Sequence, residues 1–226
     1  MNLATARTAW RRSVRQFDTD VVKDPLPTDL LTSEETQKAF RISEEPAKVR
    51  DSYGRNIYGQ STLLARRLIE AGTRMVTLSW APDANATWDT HGQNFKKLKE
   101  TLLPQFDAAC SSLIDDLLDR SMLDRTLIAV MGDFGRTPKV NANAGRDHWN
   151  YCYSLMLVGG GMKPGYIYGS SDKTGAFPAS NALVPGDIIA TMYHALGIRH
   201  DELLYDRLNR PHRLVPEGDV VTDLLA

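Results

Sequence analysis

The segment Thr126-Leu-Ile-Ala-Val-Met-Gly-Asp133 carries the clearest signal of fold class in this chain. Its apolar run predicts a strand that is buried on both faces and ends just before Asp133. Two further segments, Thr73–Trp80 and Tyr153–Val158, have the same apolar, strand-forming character. Three helical patterns accompany these strands, over Gln60–Ala71, Gln93–Asp119 and Asp187–Leu196. Helices and strands that alternate along a chain predict an α/β fold, with a mostly parallel sheet covered by helices.

The composition is that of an ordinary folded protein. The length of 226 residues suffices for one sizeable α/β domain and a short appendage. Because the 27 basic and 28 acidic residues nearly cancel, neither a nucleic-acid partner nor a membrane-surface partner is indicated. The two cysteines, Cys110 and Cys152, are too few for a disulfide scaffold or a cysteine zinc cluster.

Residues 1–52 differ from the rest of the chain. Apolar residues are sparse there, Pro25, Pro27 and Pro46 interrupt the segment, and Thr32 or Ser33 is predicted to cap a short helix. We therefore expect an N-terminal arm over 1–52, either short helices or a partly disordered segment, and an α/β domain over 53–226. The N-terminal arginines precede no apolar run. No export signal is therefore indicated, and the chain as written is expected to stay in the cytosol.

Three short stretches beside glycines contain residues that suit a metal site. They read Trp88-Asp-Thr-His-Gly92, Gly132-Asp-Phe-Gly-Arg136 and Gly145-Arg-Asp-His-Trp149. Carboxylates and imidazoles that converge from separate loops are typical ligands of divalent cations. The sequence therefore predicts a site for Zn²⁺, or for Ca²⁺ or Mg²⁺, with the candidate ligands Asp89, His91, Asp133 and His148. Two further candidates would contact an anionic ester substrate, Arg136 and Arg146.

Each candidate ligand also has an ordinary structural interpretation. Asp133 could cap a turn, and His148 could pack beside its aromatic neighbour. Asp89 and His91 could form an Asx-turn with a surface histidine. Asp147 suits either a ligand or a carboxylate that orients an imidazole. The sequence has no nucleophile elbow, phosphate-binding loop, dinucleotide fingerprint or His-Glu-x-x-His helix, so these other enzyme classes are not indicated.

The same motifs resemble a bacterial family abundant in planctomycetes, domain-of-unknown-function family 1501. The resemblance covers essentially the whole chain, and its motifs lie at Tyr58–Thr77, Trp88–Phe95, Gly132–Lys139, Asn143–Trp149 and Tyr193–Ile198. That family is grouped with the alkaline phosphatase and sulfatase-like superfamily. The resemblance therefore implies a three-layer α/β/α sandwich with a divalent-metal site that hydrolyses phosphate or sulfate esters.

The resemblance also implies a role for each candidate residue. Asp89 and His91 resemble the Asp-and-His pair that holds one metal, and His148 resembles a later histidine that completes its shell. The superfamily has an Asp-His-Gly motif at the end of a strand, and Asp133 resembles the Asp of that motif. Phe134 occupies the place of the histidine in that motif, so a second metal site would lack a ligand.

A second departure concerns the start of the chain. Full members of the family are expected to have an export segment and a first strand with an Asp ligand and the nucleophile, and no such strand precedes Asp51. The chain therefore resembles a C-terminal portion, and its nucleophile is not assigned. The leading hypothesis is a metal-dependent hydrolase of small phosphate or sulfate esters; the alternative is a non-catalytic binding or scaffold protein. An incomplete sheet would also predict self-association, or a partner that supplies the missing half.

Overall fold

The computed structural model of the chain describes residues 33–80 and 88–226. These residues form two compact units. The helical unit contains residues 33–80, 88–122 and 135–150, and the hairpin unit contains residues 123–134 and 151–226. Most of the predicted arm over 1–52 lies outside the described residues. Within the described part of the chain, no helix combines the length and apolar content that a membrane crossing requires.

Helices dominate the helical unit. Their bounds are α1 Glu34–Ala39, α2 Ala47–Ser52, α3 Ile57–Glu70, α4 Asn94–Lys97 and α5 Leu103–Asp119, with a 3₁₀ turn at Ile42–Glu44 and a π-helical turn at Leu98–Leu102. The hydroxyl of Ser33 accepts the N–H of Thr36 at 3.1 Å, so the cap predicted at Thr32 or Ser33 is confirmed at Ser33. The side-chain oxygen of Asn56 caps α3 by accepting two backbone N–H groups.

The core of the helical unit lies where α3 packs against α5. Leu63 of α3 and Ala109 and Leu117 of α5 are buried there. Burying one leucine side chain stabilises a fold by about 1.5–3 kcal/mol, and this interface buries two, Leu63 and Leu117. Four aromatic rings of the helical unit form a cluster: Tyr58, Trp80, Trp88 and Phe106. Tyr58 and Trp80 are stacked, with ring centres 4.4 Å apart.

The helical segment predicted over Gln93–Asp119 changes type just before Pro104. The π-helical turn Leu98–Leu102 separates α4 from α5, and Pro104 lies in the first turn of α5. Proline has no N–H and crowds the carbonyl of the residue four positions earlier, here Glu100, so a regular α-helix cannot run through this point. The predicted helical segment is therefore continuous but irregular, with the π-helical turn directly before the proline.

Short strands and one long helix form the hairpin unit. The strand bounds are β1 Leu127–Val130, β2 Gly135–Arg136, β3 His148–Trp149, β4 Met156–Gly159, β5 Ser170–Ser171, β6 Pro178–Ser180, β7 Leu203–Tyr205 and β8 Pro211–Arg213; β2 and β3 belong to the helical unit. The helix α6 spans Pro185–Ala195, close to its predicted range of Asp187–Leu196. The unit also contains 3₁₀ turns at Leu123–Arg125 and Thr222–Leu224. The carboxylate of Asp187 accepts the N–H of Val184 at 2.8 Å and so fixes the start of α6.

The predicted three-layer α/β/α sandwich with a mostly parallel sheet is wrong. Every sheet in the described residues has two strands, and every strand pair is antiparallel. The segment Thr126–Met131 does contain a strand, β1, but β1 pairs antiparallel with β4, so that Leu127 lies opposite Gly159. Thr73–Trp80 forms no strand.

Connectivity explains why the parallel sheet does not form. Two parallel strands need a crossover of a dozen or more residues, usually a helix. Residues 131–155, between β1 and β4, hold no helix and instead contain the β2–β3 ribbon. Met75, in the segment predicted as the first strand, is 75% exposed, so no sheet buries it. The apolar runs therefore indicate strand character correctly for β1 and β4 but carry no information about strand direction.

Candidate metal centre

A two-residue ribbon and one loop bring the candidate ligands together within the helical unit. In the antiparallel pair β2–β3, Arg136 lies opposite His148. The loop Trp88–Gly92 lies beside this ribbon, because Arg146 donates its backbone N–H to the carbonyl of Thr90 at 3.1 Å. Thr90 is buried and anchors the loop through a hydrogen bond to the side chain of Asn94. The loop therefore reaches the ribbon in a fixed orientation.

Three side-chain atoms converge at this point. Nε2 of His91 lies 3.1 Å from Nε2 of His148, and Oδ1 of Asp89 lies 2.9 Å from the His148 nitrogen and 3.1 Å from the His91 nitrogen. Among the described residues, these three form a group that could hold a metal ion. Each of the three side chains is about half exposed, so a ligand can approach from solvent.

The chemistry of these donors fits one small divalent cation. Around a tetrahedral zinc ion with bonds of about 2.0–2.2 Å, neighbouring ligand atoms lie roughly 3.3 Å apart. The three observed separations are 2.9, 3.1 and 3.1 Å, so little movement would be needed. Two imidazoles and one carboxylate form a ligand set used by catalytic zinc sites, whereas Ca²⁺ and Mg²⁺ prefer oxygen donors alone. The geometry therefore suits zinc better than calcium or magnesium.

Hydrogen bonds keep the carboxylate of Asp89 ionised. Contacts from His148 and then from the guanidinium of Arg136 lower the pKa of Asp89 to about 2. Asp89 is therefore an anion at neutral pH, as a metal ligand must be. Nη2 of Arg136 donates to Asp89 Oδ1 at 2.7 Å and to the carbonyl of Trp88 at 2.9 Å, and its Nη1 donates to the carbonyl of Arg146 at 3.2 Å. In this structure Arg136 thus holds the loop and the ribbon together, and its predicted contact with substrate stays a prediction.

Asp147 orients the ring of His91. Its Oδ1 lies 2.8 Å from Nδ1 of His91, and the same oxygen accepts an amide hydrogen of Asn141 at 3.0 Å. The hydrogen bond from His91, followed by that from Asn141, lowers the pKa of Asp147. A carboxylate on one ring nitrogen fixes a proton there and leaves the lone pair on the other, which is how many metal-binding histidines are oriented. Of the two roles considered for Asp147, the geometry favours the orienting one.

The loop Asn141–Gly145 packs directly on the backbone of His91. The carbonyls of Asn143 and Ala144 accept the N–H groups of Gln93 and Asn94 at 3.0 and 2.9 Å. At Gly145, an added Cβ would lie less than 3.0 Å from the carbonyl of His91 and from the nitrogen of Gly92. The loop can therefore reach this position only because residue 145 is glycine.

The remaining predicted residues occupy other environments. Asp133 follows β1 in the hairpin unit and does not belong to the group of three, so its assignment as a ligand stays a prediction. Arg146 lies in the helical unit with its guanidinium 5.6 Å from the ring centre of Phe95. Its Nε has no hydrogen-bond partner among the described residues. A recess of about 380 Å³ is lined by Asp147, Thr137 and residues 139–142, where Lys139 supplies a positive charge.

Sequence reasoning did not identify Asn141. Its amide nitrogen donates to Asp147 and, at 3.0 Å, to the carbonyl of His91, and its amide oxygen accepts the N–H groups of Asn143 and Gly145 at 2.9 Å each. The signal in the sequence is the run Asn141-Ala-Asn-Ala-Gly145, which is typical of an Asx-turn. That signal predicts a turn, but it does not show that the same amide reaches a second loop.

Comparison with known proteins gives the chain a family. No curated protein and no solved structure matches the chain. The sequence profile of a family described as "Protein of unknown function (DUF1501)" matches residues 7–225 and so covers nearly all of the sequence. The chain belongs to the family DUF1501.

Proposed function

We propose that the helical unit binds one divalent cation, zinc by the chemistry of its donors, and that the chain uses it to hydrolyse phosphate or sulfate esters. The observation that carries this proposal is the convergence of Asp89, His91 and His148, whose donor atoms lie within 2.9–3.1 Å of one another. Three protein ligands with solvent access are the usual composition of a catalytic zinc site, whereas structural zinc sites have four. When bound, the cation would supply Lewis-acid activation of the ester and stabilise the charge that develops on it.

The chain's own residues prepare this site in two ways. Asp89 is ionised at neutral pH, and Asp147 places the lone pair of His91 toward the other two donors. An open recess adjoins Asp147, the residue that orients His91, and Lys139 on its wall supplies a positive charge that would attract an anionic ester.

The attacking group is proposed to be water. Two threonine hydroxyls lie close to the ligands, and both are engaged within the fold. Oγ1 of Thr137 donates to the carbonyl of Lys139 and accepts the N–H of Asp147, while Oγ1 of Thr90 donates to the side chain of Asn94. In the overall reaction, the oxygen of water bonds to phosphorus or sulfur, and the bond from that atom to the alcohol oxygen breaks. The alcohol leaves with one proton from the water.

Metal content tests the proposed ligands. The purified chain, equilibrated with zinc and then desalted, is expected to retain about one zinc ion by elemental mass spectrometry. His148→Ala removes one of three ligands and should weaken zinc binding by more than about 100-fold, since even outer-shell changes cost roughly 10–100-fold. His194→Ala, which removes an exposed histidine of α6, is the control and should change nothing. Equal zinc retention by wild type and His148→Ala would show that His148 is not a ligand.

Hydrolysis tests the second half of the proposal. The zinc-loaded chain is offered 4-nitrophenyl phosphate and 4-nitrophenyl sulfate, and release of 4-nitrophenol is followed in wild type and His148→Ala. Release that depends on His148 supports a hydrolase and identifies the preferred ester. Stoichiometric zinc without hydrolysis of either ester would favour the alternative, a non-catalytic metal-binding protein.

A further inference from the structure

We infer that Asn141 is a positioning residue for the metal centre: its side-chain amide fixes the Asp147 carboxylate and the backbone of His91, and so sets the direction in which the His91 lone pair points. This inference rests on the proposed metal site. Asn141 is not a ligand, because its amide faces Asp147 and the His91 carbonyl. Its proposed effect is on zinc affinity, through His91.

The four hydrogen bonds of Asn141 determine how its amide is oriented. The nitrogen faces two acceptors, the carboxylate of Asp147 and the carbonyl of His91, and the oxygen faces the N–H groups of Asn143 and Gly145. A flipped amide would place its oxygen against two acceptors and its NH₂ against two donors. The observed orientation is therefore the one in which every contact is favourable, and it uses both hydrogens of the amide.

Asp147 alone would hold His91 weakly. Its side chain is 52% exposed, and water competes for a hydrogen bond at such a position. An exposed carboxylate can rotate to meet solvent instead. Asn141 adds a second donor to the same oxygen, and the two backbone N–H groups that hold its own amide make that donor rigid. The pair therefore restricts His91 more than either residue does alone.

The consequence for the metal centre lies in the tautomer of His91. When Nδ1–H donates to Asp147, the lone pair is on Nε2, the atom that lies 3.1 Å from both His148 and Asp89. When that hydrogen bond weakens, the proton can move to Nε2, and this nitrogen then cannot bind a cation. Asn141 thus prepares His91 for metal binding before any metal arrives.

The substitution Asn141→Asp separates this role from a purely structural one. The aspartate keeps an oxygen that accepts the N–H groups of Asn143 and Gly145, so the turn persists. It replaces the NH₂ by a second oxygen, which faces the oxygens of Asp147 and His91 and repels both. Its added negative charge by itself would attract a cation. A loss of zinc affinity therefore opposes the general charge effect and reports on positioning.

The control is Asn143→Asp, which adds the same charge two residues away on the same loop. Asn143 bonds Asn141 through its backbone N–H and Gln93 through its backbone carbonyl, and the substitution keeps both groups. Zinc affinity is measured by competition with a chromophoric chelator, and thermal unfolding by circular dichroism. Asn141→Asp is expected to weaken zinc binding about 10–100-fold with a near-native melting temperature, and Asn143→Asp to match wild type or to bind slightly more tightly. Wild-type affinity in Asn141→Asp, or an equal loss in both variants, would overturn the inference.

A second readout does not depend on metal. Nitrogen-15 NMR of the metal-free chain, with the ring of His91 assigned through His91→Gln, reports which ring nitrogen carries the proton. Wild type is expected to hold the proton on Nδ1, and Asn141→Asp to populate the other tautomer. The same tautomer in both chains would reject a positioning role. If wild type binds no zinc but the tautomer still shifts, the proposed function fails while the role of Asn141 stands.

Discussion

Arg66→Met is expected to lower the free energy of unfolding of the helical unit by about 3–5 kcal/mol, because it leaves a buried carboxylate without its main partner. The guanidinium of Arg66 is 1% exposed and lies on α3. Its Nη2 donates to Glu45 at 2.7 Å, its Nη1 to Glu70, and its Nε makes an ion-pair contact of 2.9 Å with Asp116 that is not aligned as a hydrogen bond. Methionine fills much of the volume, so the loss would measure the charge.

Glu45 is the group that makes this loss large. Its side chain is 8% exposed. Burial raises the pKa of Glu45, but hydrogen bonds from Arg66 and Arg67 outweigh burial, and the net result is a pKa below the usual 4.5. Without Arg66, an anion would stay buried with Arg67 as its remaining partner. Adding Glu45→Gln to Arg66→Met removes that charge and should restore part of the lost stability.

The same pKa predicts how this stability depends on pH. Because the folded-state pKa of Glu45 lies below the unfolded value, its stabilising contribution is fully present above pH 4.5. It is lost as the pH falls through the folded value. The difference in unfolding free energy between wild type and Arg66→Met should therefore be largest at neutral pH and should shrink below pH 4.5.

Urea unfolding followed by tryptophan fluorescence measures these differences. Trp80, Trp88 and Trp149 all lie in the helical unit, so they report on its unfolding. The control is Arg41→Met, whose ion pair with Glu44 at 3.3 Å is exposed on both sides and should contribute less than about 1 kcal/mol. If Arg66→Met costs no more than Arg41→Met, the buried network does not stabilise the unit.

The helices of this chain were predictable because their signals are local. The apolar stripe of α3 repeats within one or two turns of sequence, and it predicts the helix although α3 begins at Ile57, before the predicted start at Gln60. The irregular turn before Pro104 also follows from one residue and the carbonyl four positions before it. Such features need no knowledge of the rest of the molecule.

Strand pairing was not predictable in the same way. The run Thr126–Met131 has the composition of a buried strand whether its neighbour is parallel or antiparallel. The choice depends on the path of the chain between the strands, and residues 131–155 turn back through a ribbon instead of a helix. Thr73–Trp80 carries the same apolar pattern and finds no partner strand in the described residues. An apolar run therefore predicts strand propensity and leaves the sheet undetermined.

The candidate site shows the same division between local and distant information. Asp89, His91 and His148 could be proposed from residue type and neighbouring glycines, and the structure brings these three together. The roles of Asp147 and Asn141 depend on side chains that meet across more than fifty residues of sequence, such as His91 and Asp147. No spacing rule connects those positions, so only the folded geometry separates a ligand from a residue that orients one.

Gly145→Ala is expected to weaken zinc binding by more than about 100-fold, which exceeds the usual cost of a single outer-shell change. The φ angle of Gly145 is not in the left-handed region, so its backbone conformation accepts alanine. The obstacle is contact: the new Cβ would lie less than 3.0 Å from the backbone of His91 and Gly92, which cannot move aside as a side chain can. The loop would have to lift away from His91, and overpacking of this kind also costs about 1–3 kcal/mol of stability.

That displacement would act on the site through two connections. Gly145 donates its N–H to Asn141 and accepts the N–H of the same residue, so moving it disturbs the amide that holds Asp147. It is also three residues before His148, so the spacing between the two histidines would change. Gly92→Ala is the matched control, because a Cβ there would meet its nearest atoms at 3.8 and 3.9 Å, an ordinary contact distance. Zinc titration of both variants decides the matter: if Gly145→Ala binds zinc as tightly as Gly92→Ala, the metal centre does not depend on the close packing of this loop on His91.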